Sequence, residues 1–160
     1  MAPRRIQATA RGHVAGVACD DVFAFLADLR NHWRLAGRLV SVDELDGGDR
    51  PQGAWVRLHG PLGLGRVAHT RIVRTSAPAD GVGAVLEGAA AGTNGTSASI
   101  VWSLAASPRG TSVTLELAVE RATVGDRLLL VLGGRRWLER RLLRAAVAGL
   151  AGELRSAQRR

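Results

Sequence analysis

The chain changes its hydrophobic period for good at Gly125, and that change limits what it can fold into. Up to Gly125, apolar and β-branched residues recur at every second position in short runs closed by Gly, Pro, Asn or Ser. Beyond it, residues 126–158 hold no proline, and Leu128, Leu132, Leu138, Leu142, Leu150 and Leu154 fall at helical spacings with arginines between them. A period of two marks strands that bury one face, and a period near 3.6 marks an amphipathic helix. The first part reads as antiparallel strands joined by hairpins and the second as one long helix.

Residues 6–17 form the opening strand. Cys19, Asp20 and Asp21 then precede Val22, Phe23, Phe25, Leu26 and Leu29, of which Val22, Leu26 and Leu29 share a helical face. The two aspartates suit a helix N-terminus. This short helix runs out at Asn31, His32 and Trp33, and a second strand over 38–45 ends at the Gly- and Pro-containing turn of residues 47–51. Five more strands follow at 53–59, 66–74, 82–88, 97–105 and 111–120, making seven. A helix over the remaining residues would be about 50 Å long. Gly133 and Gly134 are the place for it to kink.

A seven-stranded antiparallel sheet has to cover one face, and the only element long enough is the C-terminal helix. The expected fold is α+β, a curved sheet wrapped around that helix. The 160 residues form a single domain, since one domain takes ~100–200 residues and a core at this size needs no staples.

Composition removes several chemistries. Cys19 is the sole cysteine, so there is no internal disulfide, cysteine zinc site or iron–sulfur centre. All 22 basic residues are arginine and tyrosine is absent, which excludes a Schiff-base amine and a phenolic acid. His13, His32, His59 and His69 show no ligand spacing, so no metal and no cofactor is expected. The first ten residues carry arginines without a following apolar run, and the longest strongly apolar run, 128–132, is five residues. Neither a secretory signal nor a spanning helix is expected, and the location is read as cytoplasmic.

The positive charge is concentrated. Residues 1–125 hold 13 arginines against 11 acids, whereas residues 126–160 hold 9 against 3. Arg135, Arg136, Arg140, Arg141 and Arg144 are too dense for a buried helix. They form either a solvated face, favoured by a compositional bias toward arginine, or a docking surface for an anionic membrane or an acidic protein partner. No aromatic stacking platform accompanies them, so nucleic acid is not an expected partner.

The order of strand, short helix, six strands and long helix resembles the START-like, or SRPBCC, superfamily, which includes polyketide cyclases and dehydratases, the birch pollen allergen group and lipid-transfer proteins. The resemblance rests on the segment VACDDVFAFLADLRNHW (17–33), the hairpin series, Gly110-Thr111 opening a strand, and the amphipathic C-terminal helix. The Gly-Pro pair at 60–61 and the Gly125 start of an arginine-rich helix are further similar to the proteins that accompany molybdenum carbon monoxide dehydrogenase. The resemblance implies a helix-grip fold enclosing an elongated apolar cavity that opens near the short helices and loops. The Gly- and Ala-rich stretch 82–92 and an aromatic content of 4% agree with incomplete filling. A pocket of ~300–1,000 Å³ would suit a small molecule.

Seven residues stand out as candidates for that site. Trp102 shares parity with Ala98, Ile100 and Leu104, so it points to the apolar face and either fills the core or touches a ligand. Trp33 follows the first helix, where the resemblance puts the cavity mouth. Trp55, Arg57 and His59 share one face of their strand, and His69 and Arg71 one face of the next. Facing the cavity, they would supply an oxyanion-binding arginine and a proton-moving histidine. Facing out, they are solvated, and the uniformly apolar alternate face of Ala54, Val56 and Leu58 favours this second arrangement. The leading functional expectation is binding of a hydrophobic small molecule such as a lipid, isoprenoid or polyketide. The alternatives are a polyketide cyclase or dehydratase using Arg/His acid–base chemistry, and an adaptor that docks through the arginine-rich helix.

Overall fold

The computed structural model of the chain describes residues 6–60, 63–79 and 83–159. Pro61 and Leu62 of the hairpin loop 60–65, Val82 at the start of the expected fifth strand, and residues 1–5 lie outside them. The seven strands are β1 (Ile6–Ala15), β2 (Val40–Leu45), β3 (Gly53–His59), β4 (Gly65–Ser76), β5 (Ala84–Gly92), β6 (Ser97–Ser107) and β7 (Gly110–Arg121). They form one antiparallel sheet in the order β1-β7-β6-β5-β4-β3-β2. Bulges between Val42 and Glu44, Ile72 and Arg74, and Ser97 and Ala98 interrupt the register. Each adds local twist, and together they curve the sheet.

Between β1 and β2 lie helix α1 (Cys19–Ala27) and the single turn α2 (His32–Leu35). Asp20 and Asp21 occupy the first turn of α1, as their charge favours, while Val22 and Leu26 are fully buried beneath it. Thr111, buried at the start of β7, donates from Oγ1 to the Val17 carbonyl at 2.8 Å. Beside it the Gly110 backbone has φ 140°, and a Cβ there would run into the Val14 carbonyl, so only glycine fits. The Gly-Thr pair thus locks β7 to the junction of β1 and α1.

The C-terminal helix covers residues 124–158 and is kinked, as the glycine pair predicts. Helix α3 (Val124–Leu129) runs into a widened turn, Leu130–Gly134, in which Gly133 takes φ 134°. Helix α4 (Arg135–Trp137), a second widened stretch, Leu138–Leu143, and helix α5 (Arg144–Gln158) follow. Only the part beyond the kink lies along the sheet, chiefly against β1, with α5 also on α2. Leu138, Leu143, Ala146, Val147, Leu150 and Leu154 enter the core, while Leu128 and Leu132, which belong to the same periodic set in sequence, stay exposed. The sheet therefore grips the helix by its second half.

A single carboxylate fixes where this helix starts. Thr123 Oγ1 accepts from the Asp126 amide at 3.2 Å as an N-cap. The Asp126 side chain in turn accepts from Arg66 at the start of β4 at 2.8 Å, from Asn94 Nδ2 at 2.6 Å, and from Thr96 Oγ1. Asn94 and Thr96 belong to the turn between β5 and β6, whose Gly95 has φ 90°. Burial of Asp126 pulls its pKa upward, but the hydrogen bonds from Thr96, Arg66 and Asn94 outweigh it and hold the carboxyl below its ordinary value.

Two substitutions test this frame. A Cβ on Gly149 of α5 would meet the Leu35 backbone, with its Cα at 2.9 Å, so Gly149→Ala should cost about 1–3 kcal/mol despite its better helix propensity. A urea midpoint equal to or above that of the parent would show that the two helices part freely. Asp126→Asn should cost about 1–3 kcal/mol at neutral pH. Because the folded pKa of Asp126 lies below 3.8, its contribution is present above that pH and fades as the folded value is passed, so the two proteins should converge in acid unfolding.

Candidate functional site

The site forms where α1 gives way to α2. A helix leaves its last carbonyls without partners, and two side chains from the following turn supply them. Asn31 Nδ2 donates to the Phe25 carbonyl at 2.9 Å and His32 Nε2 donates to that of Leu26. Asp28 holds the turn, accepting from the Arg30 amide at 3.0 Å and pairing with its guanidinium at 2.7 Å. Hydrogen bonds from Arg30 keep the Asp28 carboxyl below its ordinary value.

A carbonyl oxygen only accepts, so Nε2 carries the His32 proton. Removal from water lowers the His32 pKa from the ordinary 6.5, against the opposing pull of the Leu26 bond and Asp28. The ring is neutral near pH 7, and Nδ1 is left as an acceptor. It lies 6.3 Å from the rings of both Trp33 and Trp102, edge-on to the latter.

These aromatic groups border a cleft on the concave face. Leu29, His32 and Trp33 contribute from the helical segment, Thr70, Arg71 and Ile72 from β4, Leu86 to Ala89 from β5, and Ile100 and Trp102 from β6. Its volume is about 80 Å³, well below the ~300–1,000 Å³ of a ligand pocket. The register shows where more room lies. Residues directly opposite one another share a face, and the fully buried Ala54 identifies the inner one. Across from it the rows run Thr70, Ala90, Ala98 and, one step along, Ile72, Gly88, Ile100, while Val56 faces Ala68 and then Gly92. The middle of the concave face is thus paved with glycine and alanine, and Ala68, Thr70, Ala90 and Ala98 remain half-buried. Trp33 adds a buried indole Nε1 with no hydrogen-bond partner among the described residues.

Of the seven candidates, Trp33 and Trp102 come together at the cleft; Arg71 also borders it, although its place between the inward Thr70 and Ile72 puts it by alternation on the same face as His69. Trp55, Arg57, His59 and His69 alternate with the buried Ala54 and Val56, or stand opposite residues that do, and so occupy the convex face. There they have partners of their own. Arg57 pairs with Asp43 at 3.0 Å, His59 Nε2 lies 3.0 Å from Ser41 Oγ, and His69 pairs with Asp46 at 3.0 Å while its ring sits 5.1 Å from that of Trp55. Arg57, His59 and His69 thus each have a different partner on that face.

His32 and Thr70 are what parity along single strands missed, whereas Ala90 opposite Thr70 belongs to the Gly- and Ala-rich stretch that the sequence points to. His32 looks in sequence like the polar end of a helix, and its partner carbonyl six residues back is the signal that would have placed it. Asp46 beside His69 was also out of sight, 23 residues away across a turn. Among the described residues no group of three or more His, Cys, Asp and Glu side chains is placed to hold a metal. Burial pushes the Cys19 thiol up, away from the reactive thiolate.

No family model and no curated protein sequence matches the chain. Solved structures do. The solution structure of KanY (ms6282) matches with a TM-score of 0.67 at 14% identity, covering 96% of this chain and 99% of that one. Ms6760 from Mycobacterium smegmatis matches at 0.59 and 15%, covering 95% and 92%. NE0264 from Nitrosomonas europaea matches at 0.58 and 16%, covering 97% of each chain. At these identities the likeness establishes the helix-grip fold over nearly the full chain.

The His32 environment has a pH signature. The unfolded chain binds the imidazole proton more readily than the folded one, so the contribution to stability is full above the ordinary pKa of 6.5 and is lost as pH falls from there to the folded value. His32→Gln should therefore flatten the urea midpoint profile between about pH 7 and pH 5. Parallel profiles for parent and variant would mean that the ring takes a proton freely in place.

Proposed function

We propose that the protein binds an apolar small molecule, of the lipid, isoprenoid or polyketide kind, on the concave face of its sheet. The observation that carries this is the meeting of Trp33 and Trp102, from separate elements, beside a strip of sheet paved with glycine and alanine. Apolar burial would supply most of the affinity, at about 25 cal/mol per Å². Thr70, the acceptor Nδ1 of His32 and the Trp33 Nε1, which has no partner among the described residues, are polar groups that could orient the ligand. The resemblance to START-like proteins, whose cavity lies in the same place, supports this reading.

At about 80 Å³, the cleft is several times smaller than the ~300–1,000 Å³ of a ligand pocket. Binding therefore requires the α1–α2 connection to lift from the sheet, or the ligand to lie along the half-buried strip through Thr70, Ala90 and Ala98. Both routes use the same floor.

A second reading, proton transfer during cyclisation or dehydration of a polyketide, rests on one observation. A neutral imidazole lines the cleft and its Nδ1 carries no proton, which suits a general base. The base in this version is His32; His59 and His69 on the convex face have no part in it.

Native mass spectrometry of gently purified protein, beside the same sample denatured, tests the binding reading. A lipophilic adduct that disappears on unfolding is expected, and Ala90→Leu, which fills the strip from a half-buried position, should weaken rebinding of the extracted molecule about tenfold or more. Undiminished binding by folded Ala90→Leu and folded Trp102→Arg would remove the concave face as the site.

A further inference from the structure

The part of the C-terminal helix that precedes the kink has an apolar side with nothing upon it. Val124, Leu128, Val131 and Leu132 follow one another at i, i+4, i+7 and i+8, which places them in one stripe. Their exposures are 89%, 58%, 74% and 75%. Leu130, on the opposite side of the same turns, packs against the core and fixes which way the stripe points. An ordinary surface helix has these sides reversed, with its apolar stripe inward.

Near the stripe arginines outnumber acids, five to two over residues 124–141. Arg127 flanks it, and Arg135, Arg136, Arg140 and Arg141 follow directly beyond the kink, all exposed. The two acids of the region are already engaged, Asp126 by Arg66, Asn94 and Thr96, and Glu139 by Arg135. Among the described residues no helix is long and apolar enough to cross a membrane. A short aliphatic ridge rimmed by arginines has the composition of a segment that lies in a lipid interface, with its apolar side at the acyl boundary and its guanidinium groups among the phosphates.

From the exposed stripe and its arginine rim, we infer that the residues 124–141 dock on the surface of an anionic lipid bilayer. Aliphatic insertion and phosphate pairing are both required, because either alone gives weak, reversible attachment. The docking surface is separate from the cleft and stands whether or not the cleft binds a ligand. A second copy of the chain could cover the stripe as well, but two copies would bring ten arginines, counting five on each rim, against one another.

Cosedimentation of the full chain with vesicles of equal parts phosphatidylcholine and phosphatidylglycerol, beside pure phosphatidylcholine, tests this. The parent is expected to bind the anionic vesicles at low salt, to bind the neutral ones poorly, and to lose binding as salt shortens the screening length. Arg135→Gln with Arg136→Gln should weaken partitioning about 25-fold, at about fivefold per charge, and should reduce the salt dependence. Leu128→Ser with Leu132→Ser, at exposed positions that leave the fold intact by circular dichroism, should weaken it at least about tenfold. The inference is overturned by any one of three results: no binding to anionic vesicles at low salt, equal binding by the serine variant, or a dimer in light scattering that the serine variant turns into a monomer.

Discussion

The Asp126 carboxylate decides how the two halves of this molecule meet. It accepts hydrogen bonds from Arg66 at the start of β4 and from the turn between β5 and β6, while its own amide is capped by Thr123. The start of the C-terminal helix is thereby tied to the middle of the sheet. Its far end is held on β1 and α2 by Leu143, Val147, Leu150 and Leu154. A straight helix cannot satisfy both anchors and follow a curved sheet, and Gly133 absorbs the difference with a backbone angle that side chains rarely adopt. Before the kink only Leu130 reaches the core, which leaves the opposite surface of those turns bare, and the centre of the concave face is only half covered.

The period change at Gly125 made the architecture legible, because alternation and helical spacing are properties of neighbouring residues. The strands came out within a few residues of their places, and the glycine pair marked the kink. Parity along β6 placed Trp102 inward, and parity along β3 placed Arg57 and His59 on the side opposite Ala54 and Val56. Other features need the fold to be known first. Asp126 meets Arg66 and Asn94 across 60 and 32 residues, and nothing in the local sequence distinguishes it from any first-turn acid. His32 becomes part of the cleft only because its ring turns back to close α1. Leu128 and Leu132 share a period with Leu138 and Leu150, and periodicity cannot tell which half of a long helix is held and which is free.

The cleft owes its character to what the sheet omits. The row of Leu86 and Trp102 is filled beneath α1, whereas the neighbouring rows run through Gly88, Ala90, Ala98 and Gly92. Such strands give up packing energy, since glycine in a strand costs order and leaves nothing to bury. The large side chains at the gap come instead from the α1–α2 connection, as Leu29, His32 and Trp33. A wall made by a turn and a floor made by a sheet have different rigidity, and the turn is the side that can yield.

Every neighbouring pair in the sheet is a local hairpin except one. Strand β1 lies against β7, with Ile6 opposite Val119 and Ala15 opposite Gly110, so this pairing must close a loop of about a hundred residues before it returns anything. The Thr111–Val17 bond and the helix seated on β1 depend on the same closure. The six strands β2 to β7 can form as a meander while the chain is still being made, but β1 has to wait, unpaired, until residues 110–121 have been synthesised. The slowest and most aggregation-exposed stage of folding is then set by the first strand of the sheet.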